Sequence, residues 1–264
     1  MRRRNGFTLV ELSIVLVIIG LLIGGILAGQ SMISTSKINA TVRQIGQFDA
    51  GVMSFKAKYN YLPGDAPAFG GNGDGLIAAG TDSTGPAANC FMGEISNFWG
   101  QLFPEQYTAP PGYGVMITVI TVTGPGKNAP AAKIGRPNSA FIAGGITLDG
   151  AYIDLAQRAN YYSIVITSPY QTDWGAYRVK TTSSATAAVA PMDLQAIDTK
   201  MDDGMADSGN VKSGSVGNWQ GAGYGAVTSL PASGCSSGSA YLISDPSFQC
   251  TPIIRIGGTT GDLL

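Results

Sequence analysis

One carboxylate in this chain stands where a carboxylate is expensive. From Phe7 to Gly29 the sequence reads FTLVELSIVLVIIGLLIGGILAG, and Glu11 is its only formal charge. An ion in so apolar a run costs more than it returns unless an opposite charge meets it. The chemistry Glu11 offers there is ion pairing with a partner that the segment itself lacks. Ahead of the run lies a basic leader, Met1-Arg2-Arg3-Arg4-Asn5, and then a small residue, Gly6, set directly against the aromatic Phe7. A secretory signal peptide would place its small-residue cleavage site after the apolar core. Here the small residue comes before it.

The remaining reactive residues are sparse. The chain of 264 residues has no histidine, which removes the usual general base, the commonest metal ligand and any Ser-His or Cys-His dyad. No P-loop, G-x-S-x-G or Cys-x-x-Cys pattern occurs, and Gly221-Ala222-Gly223-Tyr224-Gly225 lacks the spacing and setting of a dinucleotide fingerprint. Of three cysteines, Cys235 and Cys250 enclose a turn-rich segment, and a bridge between them would contribute about 3 kcal/mol through loop-closure entropy. Cys90 is left over and reads as a buried thiol on a helix, with an intersubunit bridge as the alternative. Two acidic groups are candidate calcium ligands: Asp65 with Asn72 and Asp74, and Asp198 with Asp202. The first is no EF-hand, because the positions of its first and twelfth ligands would be Gly70 and Thr81. Its plainer reading is a pair of tight turns at Asn72-Gly73 and Asp74-Gly75. Asp198 and Asp202 share a helical face and repel unless a cation, a basic neighbour or solvent relieves them, and solvation is the plainer reading.

The elements that position these residues begin with the apolar run. It is long enough to cross a bilayer, which takes about 20 residues as a helix, and lipid leaves a helix as the only single-segment solution. Three arginines before it hold that end in the cytoplasm. The helix continues past Gln30 as an amphipathic one: Ile38, Val42, Ile45, Phe48, Val52, Phe55 and Tyr59 recur at helical spacing, and Leu62-Pro63-Gly64 ends it. A helix from Phe7 to Asn60 is about 80 Å long, more than a bilayer needs, so its outer half must pack on the rest of the chain. After a long Gly/Pro-rich loop over 64–89, the spacing predicts a helix over Asn89–Phe103 capped by Asn89, with Phe98 and Trp99 in the core. Strands are expected at Val115–Val122, Ser139–Thr147, Tyr161–Thr167 and Ala176–Lys180, close enough for an antiparallel meander. A short helix follows at Pro191–Asp203, with short strands at Ala240–Ile243 and Pro252–Ile256. Charged residues are only 12% of the chain and nearly balanced, so no nucleic-acid partner is expected.

The run Gly6-Phe7-Thr8-Leu9-Val10-Glu11-Leu12, continued by branched apolar residues to Ala28, resembles the signal of type IV prepilins and type II secretion pseudopilins. The resemblance implies cleavage after Gly6 by a prepilin peptidase that also N-methylates the new terminus, Phe7. Glu11 would then pair with the terminal amine of a neighbouring subunit during assembly. Cleavage would change the basic-to-acidic balance from 16 against 17 to 13 against 17. The implied fold is α+β and pilin-like: a long membrane-spanning stalk helix packed on an antiparallel β-sheet head. Residues 1–6 would be leader, 7–60 stalk with 7–29 in the inner membrane, and 61–264 a periplasmic or extracellular head. One departure is that Gly24, Gly25 and Gly29 stand where many major pilins carry a proline. The block 196–204 with Phe98-Trp99 is similar, more loosely, to large uncharacterised members of the pseudopilin-like group, and names no activity. The implied function is a structural filament subunit, a minor pilin or pseudopilin whose partners are the peptidase and other pilin subunits. A tip or adhesin module, with Trp174, Trp219 and Tyr224 as contact residues, is the alternative; a membrane-anchored exported enzyme finds no supporting motif. No cofactor is implied apart from the calcium that some secretion pseudopilins bind in a head loop.

Overall fold

A computed structural model of the chain describes residues 8–77, 93–104, 126, 129–137, 139–145, 159–166, 187–214 and 234–258. Its first element is α1, Leu9–Tyr59, 51 residues without a break and therefore about 76 Å long. The helix stops as the sequence predicts. Asn60 takes the left-handed conformation (φ 61°), one of the few non-glycine residues that tolerates it, and donates its N–H to the Lys56 carbonyl at 2.7 Å. Pro63 follows.

The head is built against the outer half of this helix. A four-stranded antiparallel sheet has the order β1-β2-β6-β3, from β1 (Ser139–Gly145), β2 (Asn160–Ile166), β3 (Val211–Gly214) and β6 (Thr251–Arg255). Phe141 is paired with Ile164, Tyr162 with Ile254, and Val211 also with Ile254. The short strands β4 (Ser236–Ser237) and β5 (Ala240–Tyr241) form a separate hairpin. Two helices complete the layer: α2 (Gly93–Leu102) and α3 (Pro191–Met201), both in contact with α1. This is the expected α+β, pilin-like architecture.

The core forms where the apolar stripe of α1 meets the sheet. Ile45, Phe48 and Val52 are buried against Phe141, Tyr162, Ile164 and Ile254, with Phe98 and Trp99 from α2 and Leu194 and Ile197 from α3 closing the sides. Phe48 is the centre of this packing. Its ring lies 4.7 Å from Trp99, 5.2 Å from Phe141 and 5.7 Å from Tyr162, in the inclined geometries that aromatic quadrupoles favour.

The order of the strands corrects the expected meander. β6, near the end of the chain, inserts between β2 and β3. The physical reason lies in composition: Pro252, Ile253 and Ile254 are buried on both faces, so this segment belongs inside the sheet. The polar Val211-Lys212-Ser213-Gly214 strand, which periodicity did not single out, takes an edge. Two expected spans, α3 and β5, end two residues earlier than read, and β6 is displaced by one residue, while the capping Asn89, the end of the expected β1 at 146–147, the strands at 115–122 and 176–180, and Cys90 lie outside the described residues. Cys235 and Cys250 are disulfide-bonded, and the same Cys250 exchanges backbone hydrogen bonds with Val189 just ahead of α3. One covalent and one backbone link thus tie the hairpin region to the sheet and to α3.

Candidate assembly site

The start of α1 shows how the sequence nucleates a helix beside a charge. Thr8 is extended and acts as the N-cap: its hydroxyl accepts the Glu11 N–H at 3.3 Å. In return the Glu11 carboxylate accepts both the Thr8 backbone N–H and the Thr8 hydroxyl at 2.8 Å. This is a reciprocal capping box, satisfying donors that the first turn of any helix leaves unpaired. An acidic group in the first turn also complements the positive end of the helix dipole. Among the described residues, the partner of Glu11 is the neutral Thr8. Among these residues the carboxylate is hydrogen-bonded without a counter-charge, and it is exposed.

What surrounds Glu11 is equally telling. Leu9, Val10, Leu12 and every large apolar residue on to Ile33 are exposed. No other described element packs on this half of the helix, and an added Cβ at Gly20, Gly24, Gly25 or Gly29 would touch nothing. This is the one described helix long and apolar enough to cross a membrane.

Residues 1–27 match the prokaryotic N-terminal methylation motif. The chain carries a prepilin-type signal. The match includes Gly6 and Phe7, which lie outside the described residues, and Glu11 with its capping partner. No curated protein and no solved structure matches the chain. The prepilin-type segment marks a type IV pilin-like precursor, and its exposed apolar helix fits a membrane anchor.

Behind the prepilin-type segment, the same helix carries a second carboxylate that sequence reasoning missed. Asp49 is 1% exposed, in the middle of the stalk–head interface. It accepts the Gly257 N–H at 3.0 Å, just past the end of β6. The Tyr162 hydroxyl lies beside it, and burial together with the Asp49 charge holds that phenol well above its ordinary pKa. Asp49 thus pins the C-terminal turn to the stalk. The available signal was its place one residue after Phe48, on the edge of an otherwise apolar stripe.

The carboxylates of both acidic clusters accept hydrogen bonds from turn residues. Asp65 is buried and accepts the N–H groups of Gly73, Asp74 and Gly75 at 2.8, 3.1 and 3.1 Å. Asn72 accepts the Asp74 N–H and Asp74 accepts the Leu76 N–H. Gly73 and Gly75 have positive φ, as Asn-Gly and Asp-Gly turns require. Burial raises the Asp65 pKa, opposed by those amides.

At the other cluster the solvated face expected for Asp198 and Asp202 is corrected, because Asp198 is fully buried. It accepts the Tyr241 hydroxyl at 2.7 Å and the Gly204 N–H at 3.1 Å. Asp202 accepts the N–H groups of Asn210 and Val211, and Asp203 those of Met205 and the Ser208 hydroxyl. One carboxylate oxygen from each of Asp198, Asp202 and Asp203 lies within 4.8 Å of the others. Burial, assisted by these like charges and opposed by the Tyr241 and Gly204 bonds, raises the Asp198 pKa to about 6. Trp174, Trp219 and Tyr224 lie outside the described residues.

Proposed function

We propose that the chain is a structural subunit of a type IV pilus-like filament, a minor pilin or pseudopilin. It is cleaved after Gly6, methylated at Phe7, and drawn from the inner membrane into a helical assembly with other subunits. One conjunction carries this reading: a methylation motif at residues 1–27 heads a helix whose first half is apolar and bare while its second half is buried under the head. Burying a bare apolar stripe of this length is worth many kcal/mol at about 25 cal/mol per Å². In the bilayer lipid covers it; in a filament the stripes of neighbouring subunits would. Glu11 supplies the register, because a buried carboxylate is relieved only where the terminal ammonium of a neighbour reaches it. The topology in the membrane has the basic leader in the cytoplasm and the head in the periplasm, which agrees with the Cys235–Cys250 bridge, since such bonds persist in oxidising compartments.

The test is the intact mass and amino-terminal sequence of the protein from its native host. A chain beginning at Phe7 with one added methyl group is the expected result. A chain that keeps Met1 and the arginines, in a host that processes its other prepilins, would make this a permanently anchored exported domain. For the two acidic clusters we propose the role of turn acceptors, supported by the amides and hydroxyls their oxygens already hold. Thermal unfolding with and without calcium checks this: an unchanged midpoint is expected, and a rise that Asp198→Asn or Asp65→Asn abolishes would assign that cluster to a cation.

A further inference from the structure

One arrangement recurs three times among the described residues of the head. At Asn72-Gly73-Asp74, Asp74-Gly75-Leu76 and Asp203-Gly204-Met205, an exposed Asn or Asp stands before a glycine of positive φ. In each, the side-chain oxygen of the first residue accepts the N–H of the third, at 2.9, 2.8 and 2.8 Å. In each, the glycine N–H between them is taken by a buried aspartate from another part of the turn region. Gly73 donates to Asp65 Oδ1 at 2.8 Å and to the Asp65 carbonyl at 3.0 Å, Gly75 to Asp65 Oδ2 at 3.1 Å, and Gly204 to Asp198 Oδ1 at 3.1 Å. These are all the Asn-Gly and Asp-Gly bonds among the described residues.

Such bonds are where a polypeptide backbone is chemically weak. The glycine nitrogen, with no Cβ beside it to hinder approach, gives up its proton and attacks Cγ of the preceding side chain. An N–Cγ bond forms, and the proton leaves with ammonia from Asn, or with water from a protonated Asp. Water then opens the succinimide at either carbonyl, giving aspartate or isoaspartate, and isoaspartate lengthens the backbone by a methylene. The turns cannot dispense with glycine, because positive φ strains other residues. The Asx turn adds to the hazard, since the donated N–H polarises the side-chain carbonyl toward attack. The nucleophile is what remains to control. A carboxylate that accepts the glycine N–H holds the proton that must leave, and its charge, little screened when buried, opposes the amide anion. Its own pKa is too low for it to serve as an effective base toward a peptide N–H.

We propose that Asp65 and Asp198 are chemical shields: by holding the N–H groups of Gly73, Gly75 and Gly204 they keep the three Asx-Gly bonds from closing to succinimides. Asn72-Gly73 is the bond most in need of it, because a carboxamide is open to attack at neutral pH whereas the ionised Asp74 and Asp203 side chains resist it. Asn72 is thus a latent deamidation site that Asp65 keeps closed. The proposal rests on the reading of the two clusters as turn acceptors, since a cation on the same oxygens would compete with the amides.

The experiment follows Asn72 in the full chain in detergent with chelator, at neutral pH and well below the unfolding midpoint. Conversion is read on the peptide that carries residues 72 and 73, so that Asn5-Gly6 does not enter, by the mass change from amide to acid and by chromatographic separation of isoaspartate. Asp65→Ala removes both side-chain acceptors. Asn160→Ala is the control: Asn160 ties the end of the same loop, accepting the Ile77 N–H at 2.8 Å and donating to the Gly75 carbonyl at 2.9 Å, but does not touch the Gly73 N–H. The expected result is conversion roughly ten- to hundredfold faster in Asp65→Ala than in the wild type, the rate equivalent of one charge-assisted hydrogen bond, and less than about threefold faster in Asn160→Ala. Asp65→Asn, which keeps an oxygen and the shape but not the charge, is expected between the wild type and Asp65→Ala, and it takes the place of Asp65→Ala in the comparison if that chain does not fold. Equal acceleration by Asp65→Ala and Asn160→Ala would assign the protection to loop rigidity, and an unchanged or slower rate in Asp65→Ala would make the carboxylate a bystander or a base. Either overturns the shield and leaves the turn-acceptor reading standing. A calcium-dependent rise in the unfolding midpoint that Asp65→Asn abolishes overturns that reading, and the shield at Asn72 with it.

Discussion

α1 carries two carboxylates, and their surroundings divide the helix into two kinds of surface. Asp49 lies in the outer half, buried, its oxygen taken by the Gly257 N–H and its neighbour the Tyr162 phenol. Glu11 lies in the first turn, exposed, and among the described residues it is bonded only to the neutral Thr8. Both sit in apolar stripes of one continuous helix. Among the described residues, the outer stripe finds its partner in the same chain and the inner one does not. A charge that is satisfied internally holds a fold together; a charge that is capped but not neutralised remains available to a second molecule. The difference separates the part of the stalk that makes the subunit from the part that makes an assembly.

The sharpest way to break this comparison is Glu11→Ala. It removes the charge and half of the capping box but touches nothing in the head, so the thermal midpoint of the head should not move. Cleavage after Gly6 should proceed, and incorporation into filaments, read by immunoblot of sheared surface fractions, should be lost. Wild-type incorporation by this variant would remove Glu11 from the assembly site. The opposite phenotype is expected from Phe48→Ala, which empties the centre of the stalk–head core and should cost about 3–5 kcal/mol. Denaturant unfolding of the full chain in detergent checks it, and a loss below about 1 kcal/mol would mean that the stalk and the head are only loosely joined.

Between these lie changes that sharpen the boundary. Separating Cys235 from Cys250, as Cys235→Ser with Cys250→Ser, should lower stability by about 2–4 kcal/mol without altering how the stalk is processed. Asp49→Ala leaves the buried Gly257 N–H without its acceptor and should cost about 1–3 kcal/mol. If Asp49→Ala were instead neutral, the pinning of the C-terminal turn would belong to packing alone.

Much of this boundary could be read from residue types. The apolar run, the heptad-like stripe from Ile38 to Tyr59 and the Leu62-Pro63-Gly64 stop are local signals, and α1 begins and ends within two residues of where they place it. The methylation motif at residues 1–27 was legible for the same reason: it is one contiguous stretch, and a charge in an apolar run is visible without knowing the fold. The strand order was not, because β6 enters the sheet interior through pairings between segments far apart in the chain, such as Tyr162 with Ile254. Asp49 and Asp198 were missed or misjudged on the same ground. A helical carboxylate looks solvated until the partner from a distant segment is known, Gly257 for one and Tyr241 for the other. Long-range burial turns an ordinary surface residue into a structural one, and periodicity alone does not report it.

The smallest expected effect concerns that second buried carboxylate, and it carries a sign. Asp198 has a folded pKa of about 6 against the ordinary 3.8, since burial and the nearby Asp202 and Asp203 charges disfavour its ionised form. The folded state therefore holds the proton more tightly than the unfolded chain. The stability this gives is fully present below pH 3.8 and is lost as the pH rises through about 6. The cluster reaches solvent through the half-buried Asp202 and the exposed Asp203, and the screening this allows reduces the contribution to about 1–2 kcal/mol. Asp198→Asn keeps an oxygen for the Gly204 N–H and an amide that can donate to the Tyr241 hydroxyl, while removing the charge that burial penalises. At pH 7.5 it should raise stability by about that amount, and between pH 4 and pH 6 its stability should fall less steeply than that of the wild type. Asp65, whose pKa burial also raises, remains in both chains and cancels in the difference. A variant that is less stable than wild type at pH 7.5 would show that the ionised Asp198 is held by its neighbours as firmly as Asp49 is held by the C-terminal turn, and that the head tolerates buried charge wherever backbone amides reach it.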